Sequence, residues 1–174
     1  IDPSNGHVKA WVGGINHKYF QYDHVRSNRQ VGSTFKPFIY GTAIINQAMS
    51  PCFKVTDQQY CIQANDADFG LMSTWCPSNA DGKFSGAGLT LKEALKESKN
   101  SVSVFLMKQL GSVEAVRNFV GDLRIDKNKI PLAPSICLGT PEMSAFDMAS
   151  AYTAFANNGI QTTPFFITHI EDKD

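Results

Sequence analysis

Apolar and polar positions change their period several times along the 174 residues, and each change marks an element. Near the start, Val8, Ala10 and Val12 alternate with Lys9 and Trp11, the two-residue period of a half-buried strand. Asp2-Pro3-Ser4-Asn5-Gly6 before it is turn chemistry, so residues 1–13 read as a hairpin closed by Gly13-Gly14. The polar and aromatic stretch 15–31 reads as a loop. From about Thr34 to Met49 the period becomes helical, with Phe35, Phe38, Ile39, Ile45 and Met49 on one face. Pro37 fits a helix only in its first turn, where its missing N–H costs nothing, and this places Ser33 at the helix N-terminus.

Residues 50–89 show no clear period and carry Pro51, Pro77 and several turn-forming glycines and asparagines. A loop of that length is usually functional or a misassigned element. Thr90 and Glu93 then form a capping-box signature, predicting a helix from Leu91 to about Lys99-Asn100. Ser101 to Leu110 predicts a second helix closed by Gly111, and Ser112 caps a third running to Val120. After a connection over 122–141, Ser144 caps a final helix ending at Gly159. Its expected buried face is Ala145, Met148, Ala149, Tyr152, Phe155 and Ala156. The stretch 164–171 reads as a strand. Strand, helices, strand is the order of an α+β protein. The expected organisation is one domain over 1–174, with the edge of an antiparallel sheet at 1–13 and 164–171 and a mostly helical part at 34–159.

Composition narrows the partners. Hydrophobic residues make up 43% and charged residues 18%, enough to build a packed core. Lys plus Arg is 16 and Asp plus Glu is 16, and this zero balance argues against nucleic acid as the main partner. No run approaches the roughly 20 apolar residues that span a bilayer. The chain opens on Ile1-Asp2-Pro3 without a Met, so we expect a piece of a longer protein. Cysteines stand at 52, 61, 76 and 137 with no CxxC pair, so a zinc site is not expected and no metal or cofactor is assigned. One bridge among Cys52, Cys61 and Cys76 is left open; Cys137, in apolar company, reads as a buried free thiol.

The candidate chemistry is at Ser33. Serine is a weak nucleophile near neutral pH and needs a base within hydrogen-bond reach. Lys36 follows by three residues at the start of a helix, on the same face. Burial or a nearby cation would lower its pKa and let it serve as that base. Ser-x-x-Lys alone is more often an N-cap and a solvated lysine. Ser98-Lys99-Asn100 adds a hydroxyl able to relay a proton and an amide able to hold a substrate amide. Alone it reads as a helix C-terminus capped by Asn100.

Together these elements resemble the class A penicillin-binding proteins, whose transpeptidase domains carry SxxK, SxN and KTG motifs. The resemblance extends through Asp2 to Gly14, Arg29-Gln30-Val31-Gly32-Ser33-Thr34-Phe35-Lys36-Pro37-Phe38, Trp75-Cys76-Pro77-Ser78-Asn79, Asp81-Gly82-Lys83-Phe84, Leu138-Gly139-Thr140-Pro141-Glu142 and Ala151 to Gly159, in the family's order. It implies a partial penicillin-binding transpeptidase fold, serine β-lactamase-like. Ser33 would attack the penultimate D-alanine carbonyl of a peptidoglycan stem peptide, and Lys36 would take its proton. Ser98 would relay that proton to the leaving D-alanine, and Asn100 would bond the substrate amide. The Ser33 N–H would supply half of an oxyanion hole. β-Lactam antibiotics would acylate the same serine. The implied setting is the outer face of the bacterial cytoplasmic membrane, with a membrane anchor and a glycosyltransferase domain in the parent protein.

One departure matters: neither Lys-Thr-Gly nor Lys-Ser-Gly occurs in the 174 residues. The KTG strand is expected downstream of 164–171, so this piece is expected to be incomplete and its own activity is open. A class D-like serine β-lactamase and a penicillin-sensing module are the alternatives. His7, His17, His24 and His169 lack metal-ligand spacing and read as loop or surface positions. Trp11 and Trp75 read as packing residues, Lys99 as solvent-facing, and Asp81 and Lys83 as either a solvated turn or a loop near the cleft.

Overall fold

The computed structural model describes residues 1–172, and the chain is α+β. It divides into two compact units: one is Ile1–Arg29, Leu123–Ile125 and the segment from Glu142, the other Gln30–Asp122 and Asp126–Pro141.

The second unit holds the candidate chemistry. A 3₁₀ turn over Gly32–Phe35 runs into helix α1, Lys36–Asn46, with Pro37 in its first turn. Phe35, Phe38, Ile39 and Ala43 are fully buried, but Ile45 is exposed. The helix ends three residues before the expected Met49, because Ala48 takes a left-handed φ of 51°. The stretch expected to be irregular contains structure. Lys54–Thr56 pairs antiparallel with Gly88–Thr90, Ile62 and Trp75 form a bridge, and a disulfide joins Cys61 to Cys76. Two such short pairings leave no long periodic run for the sequence to display. Cys52 is a free exposed thiol, and Cys137 a free buried one.

Helix α2, Leu91–Lys96, starts at the Thr90–Glu93 capping box, in which each residue bonds the other's backbone N–H. It is shorter than expected, because Ser98 adopts φ 55° and turns the chain. Asn100 then opens α3, Asn100–Leu110, so the Ser98-Lys99-Asn100 motif lies in the connection between helices rather than at one helix's end. Gly111 closes α3 with φ 61°. Ser112 Oγ accepts the N–H of Glu114 at the start of α4, Val113–Asp122. The core lies where α1, α3, α4 and a 3₁₀ turn at Pro134–Leu138 meet, through Val102, Leu106, Met107, Val116 and Ile136, all 0% exposed.

In the other unit, helix α5, Ala145–Ala156, carries the expected cap at Ser144, reciprocated by Asp147. Its buried side is Ala151, Thr153 and Ala154, whereas Ala145, Ala149, Phe155 and Ala156 are exposed. Alanines stand on both the buried and the exposed side of this helix, so the hydrophobic pattern does not select one. The expected strands at 1–13 and 164–171 are replaced by extended chain with a single parallel bridge, His7 to Phe165. A pairing of two short strands is marginal by itself. The turn before it does form: Gly6 N–H bonds Asp2 C=O at 2.8 Å, and Asp2 N–H bonds His7 C=O at 2.9 Å. The inward side chain is Trp11, against Phe146 and Phe166 with Arg26 over its ring, while Val12 is 76% exposed.

Candidate active site at Ser33 and Lys36

The backbone sets the place of Ser33. Val31 N–H bonds Pro141 C=O at 3.0 Å and Gly32 N–H bonds Gly139 C=O at 2.9 Å, so the 139–141 loop holds the turn before Ser33. The approach is so close that a Cβ on Gly139, itself at φ +89°, would stand 1.3 Å from Gly32 O. Only glycine fits there. Gly32, at φ +61°, bends the chain into the 3₁₀ turn. In such a turn, side chains three apart eclipse, which puts Ser33 and Lys36 on the same side. Lys36 N–H bonds Ser33 C=O. Ser33 is exposed, and its own N–H lies in the first turn, where helices leave donors without an internal acceptor.

Lys36 is 1% exposed, an unusual place for an ammonium. Its Nζ donates to three acceptors: Ser98 O at 2.6 Å, Ser98 Oγ at 3.0 Å and Asn100 Oδ1 at 2.7 Å. An ammonium has three N–H donors, so all are used. Burial lowers the Lys36 pKa to about 8, with Cys137 pulling slightly the other way. Burial also pushes the Cys137 thiol up to about 12, so near neutral pH it stays protonated beside the lysine. A substantial share of Lys36 is therefore neutral amine in weakly alkaline solution.

The left-handed backbone of Ser98, which costs a non-glycine residue about 1–2 kcal/mol, turns both its carbonyl and its hydroxyl onto Lys36. Asn100 bridges two groups, its oxygen on Lys36 and its Nδ2 donating to Ser78 O at 2.9 Å. The structure thus joins Lys36, Ser98 and Asn100 by hydrogen bonds. Ser33 Oγ has no hydrogen-bond partner among the described residues. Hydrogen bonds between a candidate nucleophile and its base often form or tighten only when substrate is present.

Sequence reasoning missed the support beneath this cluster. Asp57 is 0% exposed and receives Ser101 Oγ at 2.6 Å, Asn79 Nδ2 at 2.8 Å, and both Ser85 N–H and Ser85 Oγ at 3.0 and 2.9 Å. Burial pushes its pKa up, but the bonds from Ser101, Ser85 and Asn79 outweigh it and hold the carboxyl well below the usual range. Lys99, expected to face solvent, has Nζ 3.4 Å from Asp57 and a side chain only 17% exposed. Asp81 accepts the N–H of Lys83, and Lys83 O accepts a bond from Asn79, so that turn supports the network. No local signal in the sequence marks Asp57, because its partners lie 22 to 44 residues away and leave no periodic trace.

A family model described as "Penicillin binding protein transpeptidase domain" matches residues 1–174. The chain is 33% identical over 175 residues to Penicillin-binding protein 1A of Neisseria meningitidis serogroup A, covering 100% of this chain and 21% of that protein. It is 31% identical over 175 residues to Penicillin-binding protein 1A of Pseudomonas aeruginosa, covering 100% and 20%. The chain thus spans about a fifth of the length of these relatives. Among solved structures, Penicillin-Binding Protein 1A from Haemophilus influenzae superposes with TM-score 0.82 at 26% identity, over 92% of this chain and 23% of that one. PonA1 from Mycobacterium tuberculosis, solved in complex with penicillin V, superposes with TM-score 0.75 at 30% identity, over 94% and 44%.

Proposed function

We propose, from the premise that this chain belongs to the penicillin binding protein transpeptidase domain family, that residues 1–174 are one part of a peptidoglycan D-Ala-D-Ala transpeptidase domain working through a serine acyl-enzyme. The observation that carries this reading is Lys36: buried, lowered to about 8, and held by Ser98 and Asn100 on the side of the turn that bears Ser33.

The chemistry follows from those groups. Neutral Lys36 takes the Ser33 proton as Ser33 Oγ attacks the carbonyl carbon of the penultimate D-alanine. Lys36 is then an ammonium whose three donors meet the three acceptors already in place, which stabilises the charge. The Ser33 N–H faces the developing oxyanion. Ser98 Oγ accepts from Lys36 and donates onward, so the proton reaches the departing amine as the carbon–nitrogen bond breaks. The D-alanine leaves, and an amine of a neighbouring stem peptide attacks the ester carbon; the carbon–Oγ bond breaks, and the proton shed by the amine passes through Lys36 to Ser33 Oγ. A β-lactam opens on the same serine and leaves an ester that resists water. No second oxyanion donor is assigned, because the 174 residues contain no Lys-Thr-Gly. Stem peptides and β-lactams are the proposed partners, and the outer face of the cytoplasmic membrane the proposed location. Among the described residues no helix is long and apolar enough to cross a membrane.

The test is labelling of the protein with a fluorescent penicillin, followed by peptide mass mapping. The expected adduct is on Ser33 and disappears in Ser33→Ala. Stable labelling that survives Ser33→Ala would sink the assignment.

A further inference from the structure

The buried carboxylate beneath the Ser98–Asn100 connection has more partners than any other acid in its unit, and the identity of those partners is informative. Asp57 Oδ1 receives Ser101 Oγ and Asn79 Nδ2; Oδ2 receives Ser85 N–H and Ser85 Oγ and faces Lys99 Nζ. Asn79 Oδ1 in turn accepts Ser101 N–H at 3.0 Å. Three of these partners alternate with the groups of the site. Asn79 follows Ser78, whose carbonyl holds Asn100. Lys99 lies between Ser98 and Asn100, and Ser101 follows Asn100. One carboxylate therefore grips the residue adjoining each group that surrounds the Lys36 amine.

We propose that Asp57 is a positioning residue for the acylation step: through Asn79, Lys99 and Ser101 it fixes Ser78, Ser98 and Asn100 in the geometry that holds the Lys36 amine. The proposal rests on Lys36 being the base of the reading above. The charge is essential to the argument. A carboxylate is acceptor-only, and every group aimed at Asp57 is a donor. An asparagine there keeps one oxygen for Ser101 and Asn79 but turns an NH₂ toward Ser85 N–H and Lys99. The 98–101 segment then loses its anchor, and water gains access to Lys36. Cys137 is the other titratable group that shifts Lys36, and it stays neutral near pH 7. A wetter amine therefore moves toward the ordinary lysine range.

The experiment compares wild type, Asp57→Asn, Ser101→Ala and Ser33→Ala in the same protein. Two measurements are made on each: the second-order labelling rate with a fluorescent penicillin from pH 6 to pH 10, and the titration of Lys36 by its ¹³Cε resonance. Circular dichroism reports whether each variant is folded. In folded Asp57→Asn, labelling at pH 7 is expected to fall about tenfold or more, as losing bonds to a charged group implies. Lys36 is expected to titrate at higher pH than in wild type. A purely stabilising role would leave the titration of Lys36 unmoved in the folded variant. Wild-type labelling and an unshifted Lys36 in folded Asp57→Asn would overturn the proposal. Should Asp57→Asn not fold, Ser101→Ala removes a single donor and is expected to move both readouts in the same direction by less; no movement in either overturns the proposal. Failure of the functional reading is separate, since it shows as labelling that survives Ser33→Ala, and the resonance titration needs no labelling at all.

Discussion

Asn100→Asp replaces one acceptor beside Lys36 by another that carries a charge. Asn100 Oδ1 is 2.7 Å from Lys36 Nζ, so the new carboxylate keeps the bond and adds a unit negative charge in contact with the amine. An opposite charge at such range favours the charged form by about 1–3 pKa units. Lys36 starts at about 8. In the variant it should titrate at about 9 to 11. At pH 7 roughly one lysine in ten is neutral in the wild type, and the variant lowers that share by a further factor of about 10 to 1,000. If neutral Lys36 is the base, the labelling rate with a fluorescent penicillin falls by the same factor at pH 7. It recovers as the pH passes the new pKa. The other half of the amide now donates to Ser78 O, and a carboxylate oxygen there repels that carbonyl. This adds a pH-independent loss of about 1–3 kcal/mol. The decisive measurement is the full pH–rate profile. A loss of equal size at every pH, with the midpoint unmoved, would refute the view that Lys36 is the titrating base.

Further outcomes follow from the same geometry. Gly139→Ala forces a left-handed alanine, costing about 1–2 kcal/mol, and overpacks Gly32 for roughly 1–3 kcal/mol more, so the urea midpoint should drop and labelling of the remaining folded protein should slow. The Asp57 carboxyl is held low in the folded state, so its stabilisation is present above the unfolded pKa of about 3.9 and is lost as pH falls through the folded value. Acid unfolding of Asp57→Asn should accordingly be shallower below about pH 4 than that of wild type. Removing the 61–76 disulfide, which spans 15 residues, as Cys61→Ser with Cys76→Ser should lower stability by about 3 kcal/mol in chemical denaturation. Thr90→Ala removes the cap of α2 and should cost about 1 kcal/mol by the same assay.

Local chemistry was readable where it is written in adjacent residues. The capping boxes at Thr90 and Ser144 and the glycine stop at Gly111 each depend on side chains within a turn of one another. Lys36, Ser98 and Asn100 were legible as site candidates because two short motifs carry them, and their hydrogen bonds now join them. What was not legible depends on distant partners. Asp57 meets Ser101 across 44 residues, and neither has a spacing that announces the other. The course of the chain near the motif was also misjudged: Ser98 breaks the helix with a backbone angle that no propensity assigns to serine. On α5 the alanines made the pattern ambiguous, and at 1–13 an alternating run did not become a strand, because a single bridge is all the pairing it finds.

The contact between Gly32 and Gly139 is made by main-chain atoms on both sides. The turn that carries Ser33 is therefore anchored at this point without the use of any side chain. The rest of the 134–141 stretch is built into the packing of its unit, with Pro134, Ile136, Cys137 and Pro141 buried, so substitutions there disturb that packing rather than a free surface. The placement of Ser33 is thus a property of the main chain, set by a backbone join that tolerates no side chain at Gly139.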